Sequence, residues 1–240
     1  MSERIIYVDI ETRNFFGDEV IKDLPRELQI LSMDFGLAVT WNSDEWEAAL
    51  PEIDFLNFEY SGEEDAFYGW PDYQAKLLWE YLMTADIIAG YNITTFDLPV
   101  IARTAGVRVG DHRYNMNKAL KFPRVYDLFY VIKETTGRWY KLEDLAQANL
   151  SKGKTADGLQ AARWLATRDK KDYWKAFEYC KNDVALEVQL GELARGGYPI
   201  KLPKTEKYSG EMIVTLDWDP DPGPELNHGC VCSVCHYLKI

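Results

Sequence analysis

Along an extended chain, alternate side chains share a face, so Asp9 and Glu11 of the run Ile5-Ile6-Tyr7-Val8-Asp9-Ile10-Glu11 project together while Val8 and Ile10 point the other way into the packing. Two acids on one face of an apolar strand either mark the place where the strand meets solvent or belong to a larger set. Asp97 is a third acid, in Gly90-Tyr91-Asn92-Ile93-Thr94-Thr95-Phe96-Asp97-Leu98-Pro99, between an apolar run and a helix with proline in its first turn. An aspartate there reads either as a helix N-cap or as a functional group at the carboxyl end of a strand. Tyr179 and Asp183, four residues apart in Tyr179-Cys180-Lys181-Asn182-Asp183, fall on one face of a helix. Carboxylates gathered at about 4 Å repel one another by roughly 4 kcal/mol per pair at an effective dielectric of 20. Such a group persists where it binds cations or keeps some members protonated. Hard oxygen donors without histidine or cysteine select Mg²⁺ or Mn²⁺ over zinc.

The elements that must position these groups are legible in outline. The opening run predicts a buried strand, and a second strand is expected over about Ile30 to Thr40, with a third near Ile53 to Tyr60. Pro71 to Met83 has helical periodicity, Asp86 to Tyr91 reads as a buried strand, and Leu98 to Ala105 as a short helix stopped by Gly106. Helices are expected at Leu128 to Glu134, Leu142 to Ala148, Gly158 to Ala166 and Asp172 to Leu193, the last ended by Gly196-Gly197-Tyr198-Pro199. Strands early, helices late and alternation between them predict an α/β layered domain over residues 1–202, followed by an acidic tail with Pro and Gly over 203–240.

Composition bounds the function. With 240 residues, 47% hydrophobic and 14% aromatic, the chain is long and apolar enough for a full core, which excludes disorder and a disulfide-stapled miniprotein. No apolar run approaches a membrane span and the start lacks a signal peptide's apolar stretch, so a soluble, cytoplasmic protein without membrane partners is expected. A net charge of -12 argues against a polyanionic partner until it is divided along the chain. Residues 1–100 carry 5 basic and 21 acidic side chains, residues 101–202 sum to +7, and Ile101 to Lys141 alone has nine basic residues against three acids. That asymmetry is compatible with two differently solvated faces or with one phosphate-binding side.

The ordered set of Asp-x-Glu on an opening strand, Asn-x-x-x-x-Asp in the middle and Tyr-x-x-x-Asp on a late helix resembles the 3′-to-5′ exonucleases of the DEDD group. Within it, the tyrosine subgroup (DEDDy), typified by the proofreading domain of family B DNA polymerases, is the similar one. Val8 to Thr12 resembles the first exonuclease motif, Asn92 to Pro99 the second and Tyr179 to Asp183 the third. Tyr126-Asp127-Leu128 and Lys141 to Leu145 are similar to segments that precede the third motif, and the likeness runs over roughly residues 4–200. The histidine subgroup would place His where this chain has Glu178.

The resemblance implies a ribonuclease H-like mixed sheet flanked by helices. It implies a hydrolase that releases nucleoside 5′-monophosphates from the 3′ end of single-stranded nucleic acid, DNA in preference to RNA. Two Mg²⁺ or Mn²⁺ ions would be held by Asp9, Glu11, Asp97 and Asp183, with Asp9 bridging them. Tyr179 would orient the attacking water, because a free phenol ionises at about pH 10 and is a poor base at neutrality. At Thr12 the backbone would approach the terminal 3′ hydroxyl, Asn92 would bind substrate or bridge the turn's backbone, and Phe96 would stack on a terminal base or anchor the turn in the core. Such a protein is expected to be a free-standing nuclease or the nuclease subunit of a larger assembly.

Other classes of function stay open at this level. The same fold and chemistry could act on RNA, and a nuclease-like fold could serve as an interaction module, docking replication, repair or processing proteins through residues 41–70 or the tail. His228, Cys230, Cys232, Cys235 and His236 place five soft-metal donors within nine residues. They read as a zinc knuckle or as free thiols, the close spacing leaving little chain to wrap an ion.

Overall fold

A computed structural model describes residues 3–15, 18, 22–43, 56–57, 71–106, 123–153, 156–167 and 169–220. In chain order the elements are β1 (Ile5–Thr12), α1 (Arg26–Leu31), β2 (Phe35–Asn42), β3 (Leu56–Asn57), α2 (Pro71–Leu82), β4 (Ile87–Gly90), α3 (Asp97–Thr104) and β5 (Arg124–Asp127). Then follow α4 (Leu128–Thr136), α5 (Leu142–Leu150), α6 (Gly158–Thr167), α7 (Lys170–Arg195), β6 (Ile200–Leu202) and β7 (Met212–Val214). Five strands form a mixed sheet in the order β3-β2-β1-β4-β5. Strand β2 is antiparallel to β1 and β3, whereas β1, β4 and β5 run parallel.

The two-residue period of β1 divides the core. Ile5 and Tyr7 join Leu37, Val39, Ile87 and Ala89 on the face covered by α4, α5 and α7, while Ile6, Val8 and Ile10 join Ala38 and Ile88 on the face covered by α1, α2 and α3. Asp9 and Glu11 continue the row of Ile5 and Tyr7, so their face is the one on which α7 lies. Helix α7 is 26 residues long, about 39 Å at 1.5 Å per residue, and buries a broad stripe from Tyr173 to Ala194. It comes close to β1 because Gly191 has no side chain: a Cβ there would stand 2.8 Å from Cε1 of Tyr7. Polar residues elsewhere on its surface keep it from being a membrane helix, and among the described residues no helix is long and apolar enough to cross a membrane.

Most elements lie where the sequence pattern puts them, with four differences, the first being β5, a strand over Arg124–Asp127 that the pattern does not predict. Ile30 belongs to helix α1, entered from Pro25, so the second strand starts at Phe35 rather than near Ile30. Only Leu56–Asn57 of the expected third strand lies among the described residues, and of residues 41–70 the rest beyond Ser43 lies outside them. The stretch read as a tail from 203 begins as folded chain: β7 pairs with β6, Leu216 is buried in the core, and Trp218 packs on Tyr126 with ring centroids 3.9 Å apart. Asn149 ties this hairpin to α5, its amide donating to the Lys201 carbonyl at 2.8 Å and its carbonyl accepting from the Lys201 N–H at 2.7 Å. The cysteine and histidine cluster at 228–236 lies outside the described residues.

Candidate active site

The site forms where β1 outruns its parallel neighbour. Pairing of β1 with β4 ends at Tyr7 and Ala89, so the Ile10 N–H finds no strand partner on that edge. Oδ1 of Asp97 accepts that N–H at 3.0 Å. Asp97 is therefore no N-cap: α3 begins at it, Phe96 stands in the cap position, and no side chain caps the helix there. The carboxylate instead reaches across the sheet edge and lies against the backbone between Asp9 and Glu11. Burial, and next the nearby Asp9 charge, hold its pKa well above the ordinary carboxylate value.

Helix α7 brings the remaining groups. Tyr179 and Asp183 are both buried and, with Asp9 and Asp97, line one cavity of about 1140 Å³. Glu11 is not in the cavity wall, but its carboxylate, that of Asp9 and the Cys180 sulfur offer ligand atoms within 4.8 Å of one another. The Cys180 Sγ donates to Oδ2 of Asp9 and to the Asp9 carbonyl, each at 3.4 Å. Burial first, then Asp9, Glu11 and Asp183, push this thiol's pKa well up. Cys180 contributes the one sulfur, donating to Asp9, and the carboxylates of Asp9, Glu11, Asp97 and Asp183 supply oxygen, the donor type that suits Mg²⁺ or Mn²⁺. The residues present thus fit a hard divalent cation.

A clamp below the site fixes the mid-chain turn. Asp127, at the end of β5, caps α4 through the Phe129 N–H at 3.1 Å and also accepts from Asn92 N at 2.8 Å, Thr94 N at 3.0 Å and Thr94 Oγ1 at 2.6 Å. These bonds hold Asn92 in a left-handed conformation, φ 65°. The turn thereby delivers Phe96 and Asp97 to the cavity.

Of the three residues expected to touch substrate, Asn92 and Phe96 line the cavity. Asn92 also accepts a hydrogen bond from the Thr95 hydroxyl, which braces the turn. Thr12 is placed otherwise. A register shift between Glu11 and Thr12 breaks the strand's alternation, and the Thr12 hydroxyl donates to the Asn14 carbonyl at 2.7 Å. Its side chain is occupied in the turn that follows β1.

Three participants escaped the sequence pattern. Glu187, one helical turn beyond Asp183, is buried in the same wall, and it has room because β4 ends in Gly90, whose Cβ would lie 3.3 Å from Oε2 of Glu187. Its spacing of four from Asp183 was the available signal. Asp127 had one as well, an aspartate between a strand and a helix. Cys180 had none, since its contact with Asp9 depends on how α7 is rotated over β1. The cavity is also lined by the aromatic and basic side chains of Phe129, Lys133, Trp139 and Lys141, together with Glu143 and Asp157.

A family model described as the RNase H superfamily matches residues 61–194, more than half of the chain. The chain belongs to the RNase H superfamily. This superfamily is typically nucleolytic and its nucleases use divalent metals, in keeping with the acidic group around Asp9. No curated protein sequence matches the chain. Among solved structures it is similar to the family B DNA polymerase of the hyperthermophilic archaeon Pyrobaculum calidifontis, at 18% identity and a TM-score of 0.54, over 80% of this chain and 24% of the polymerase. At that identity the likeness is one of fold: an RNase H-like mixed sheet with flanking helices, spanning about a quarter of the polymerase's length.

Proposed function

We propose that this RNase H-like chain is a metal-dependent 3′-to-5′ exonuclease of the DEDDy type, acting on single-stranded nucleic acid and on DNA in preference to RNA. The observation that carries the proposal is the convergence of Asp9, Asp97, Tyr179 and Asp183, from β1, α3 and α7, on one cavity. Asp9, Glu11, Asp97 and Asp183 would hold two Mg²⁺ or Mn²⁺ ions. Bound there, such ions activate water for attack on phosphorus and neutralise charge on the leaving 3′ oxygen. The Tyr179 phenol orients the water by hydrogen bond. Asn92 and Phe96 face the terminal nucleotide, and the strand's phosphates meet the basic side chains. The polyanion is compatible with an acidic chain because Lys133 and Lys141 line the same cavity as the carboxylates.

The test is a 5′-labelled single-stranded oligonucleotide, offered as DNA and as RNA with Mg²⁺, Mn²⁺ or chelator. A ladder shortening from the 3′ end, dependent on metal and faster on DNA, is expected. Internal cuts, 5′ shortening or unchanged cleavage by Asp183→Ala would refute the proposal.

A further inference from the structure

Beyond the cavity, a group of aromatic and basic side chains continues the wall outward across two segments that the acidic site does not use. Trp139 lies on the loop between α4 and α5, lines the cavity and still exposes 44% of its surface. The loop joining β6 to β7 comes alongside: Nζ of Lys207 stands 4.3 Å from the Trp139 ring centroid and 5.3 Å from that of Tyr208. Tyr208 in turn packs against Tyr140 at 5.4 Å between centroids, and Cζ of Arg138 lies 5.2 Å over the Tyr208 ring. Two hydrogen bonds clasp the segments together, Trp139 N to the Tyr208 hydroxyl and Arg138 Nη1 to the Gly210 carbonyl, each at 3.1 Å.

The clasp is complete without the indole. Tyr208, Tyr140 and the two hydrogen bonds join the loops, whereas the Trp139 ring, covered in part by Lys207, keeps 44% of the residue's surface exposed while its backbone is held by the Tyr208 bond. A large aromatic face fixed at a cavity mouth, with Lys133, Lys141 and Lys207 around it, combines the two elements by which proteins hold a single strand without reading its sequence: a stacking platform and cations for the phosphates. Glu206 adjoins Lys207 and Glu134 adjoins Lys133 in the sequence, so charge alone would not make this an anion site. Stacking must carry much of the binding, which favours a strand with unpaired bases over a duplex.

We infer that Trp139 and Lys207, on the ridge formed by the α4–α5 and β6–β7 loops, hold the single-stranded nucleic acid one or more nucleotides upstream of the terminal nucleotide at the carboxylates. The inference rests on the nuclease reading for its occupant and extends it to a surface of the chain's own hairpin.

Its test is fluorescence anisotropy of a labelled 12-nucleotide single strand and of a blunt duplex, measured in chelator so that nothing is hydrolysed. The single strand is expected to bind wild-type protein more tightly than the duplex. Trp139→Ala should weaken it about tenfold or more, Trp139→Phe should restore most of the affinity, and Lys207→Ala should lower the slope of log affinity against log salt by about 0.7. Circular dichroism melts verify that these exposed-site variants are folded. Equal binding by wild type and Trp139→Ala, a loss that Phe does not restore, or preference for the duplex would overturn the inference. The two proposals fail separately. Cleavage from 3′ ends with unaltered binding by the variants removes the ridge alone, whereas the expected binding pattern without any cleavage removes the exonuclease alone.

Discussion

A carboxyl group whose folded pKa is raised costs stability at neutral pH, and Asp97 is such a group, buried and beside Asp9. The sign follows from proton linkage: the folded state binds its proton more tightly, so its stabilising contribution is full below the unfolded pKa and is lost as pH rises through the folded one. Asp97→Asn removes the charge while its amide oxygen can still accept from Ile10. In chelator, this variant should melt above wild type at pH 8, with the difference shrinking toward pH 5. A constant difference across that range would argue against a raised Asp97 pKa. At the same scale, Asp9→Ala or Asp183→Ala should abolish hydrolysis in a folded protein. Tyr179→Phe should be milder, roughly ten- to a hundredfold in kcat, as befits loss of an orienting hydrogen bond worth about 1.5–3 kcal/mol. A loss equal to that of Asp9→Ala would contradict a purely orienting role.

Elements place these residues through a few tight contacts. Helix α7 rests on β1 at Gly191, where an added methyl would run into the Tyr7 ring and hydroxyl. Gly191→Ala therefore sets a helix-propensity gain of about 1 kcal/mol against an overpacking cost of about 1–3 kcal/mol. A net loss in urea denaturation is expected, together with weaker activity, because α7 carries Tyr179 and Asp183. Asp127 ties three elements together, holding the turn after β4 and the start of α4 from the end of β5. Asp127→Ala should cost about 3 kcal/mol, from a lost cap and several buried bonds. Its activity should fall even at temperatures where it is fully folded, since the turn bearing Phe96 and Asp97 would be released.

Across the whole molecule, the metal and the fold should stabilise each other. A cation that binds only the folded chain adds about 2.7 kcal/mol at a hundred times its Kd. Mn²⁺ should raise the wild-type melting temperature in proportion to the logarithm of its concentration and leave Asp9→Asn nearly unmoved. The hairpin after α7 is also part of this unit. A chain ended at Leu202 would lose Leu216 from the core and Trp218 from the Tyr126 ring, so it should unfold at distinctly lower urea than the full chain.

Periodicity and residue type alone determined the layered α/β class, most helices and which acids share a face, whereas the grouping of those acids with Tyr179 came from the resemblance to the exonuclease motifs. The periodic signals are local: a two-residue period puts Asp9 beside Glu11, and a four-residue spacing puts Tyr179 over Asp183. The hairpin's attachment was hidden because a short, polar, proline-containing stretch gives no pattern; Leu216 is in the fold through the core cluster and Trp218 through the Tyr126 ring. Asp97 looked like a cap by its neighbours, and only the early end of β4 gave its carboxylate another N–H to satisfy. Thr12 follows Glu11 in the sequence, but strand alternation already sets it apart from the row of Asp9 and Glu11, and its hydroxyl closes the turn onto the Asn14 carbonyl. Cys180 and Glu187 joined the site through the rotation of α7 against β1 and β4, a relation between segments more than ninety residues apart. Local spacing sets which side chains share a face, whereas which faces meet is decided by the packing of the entire core.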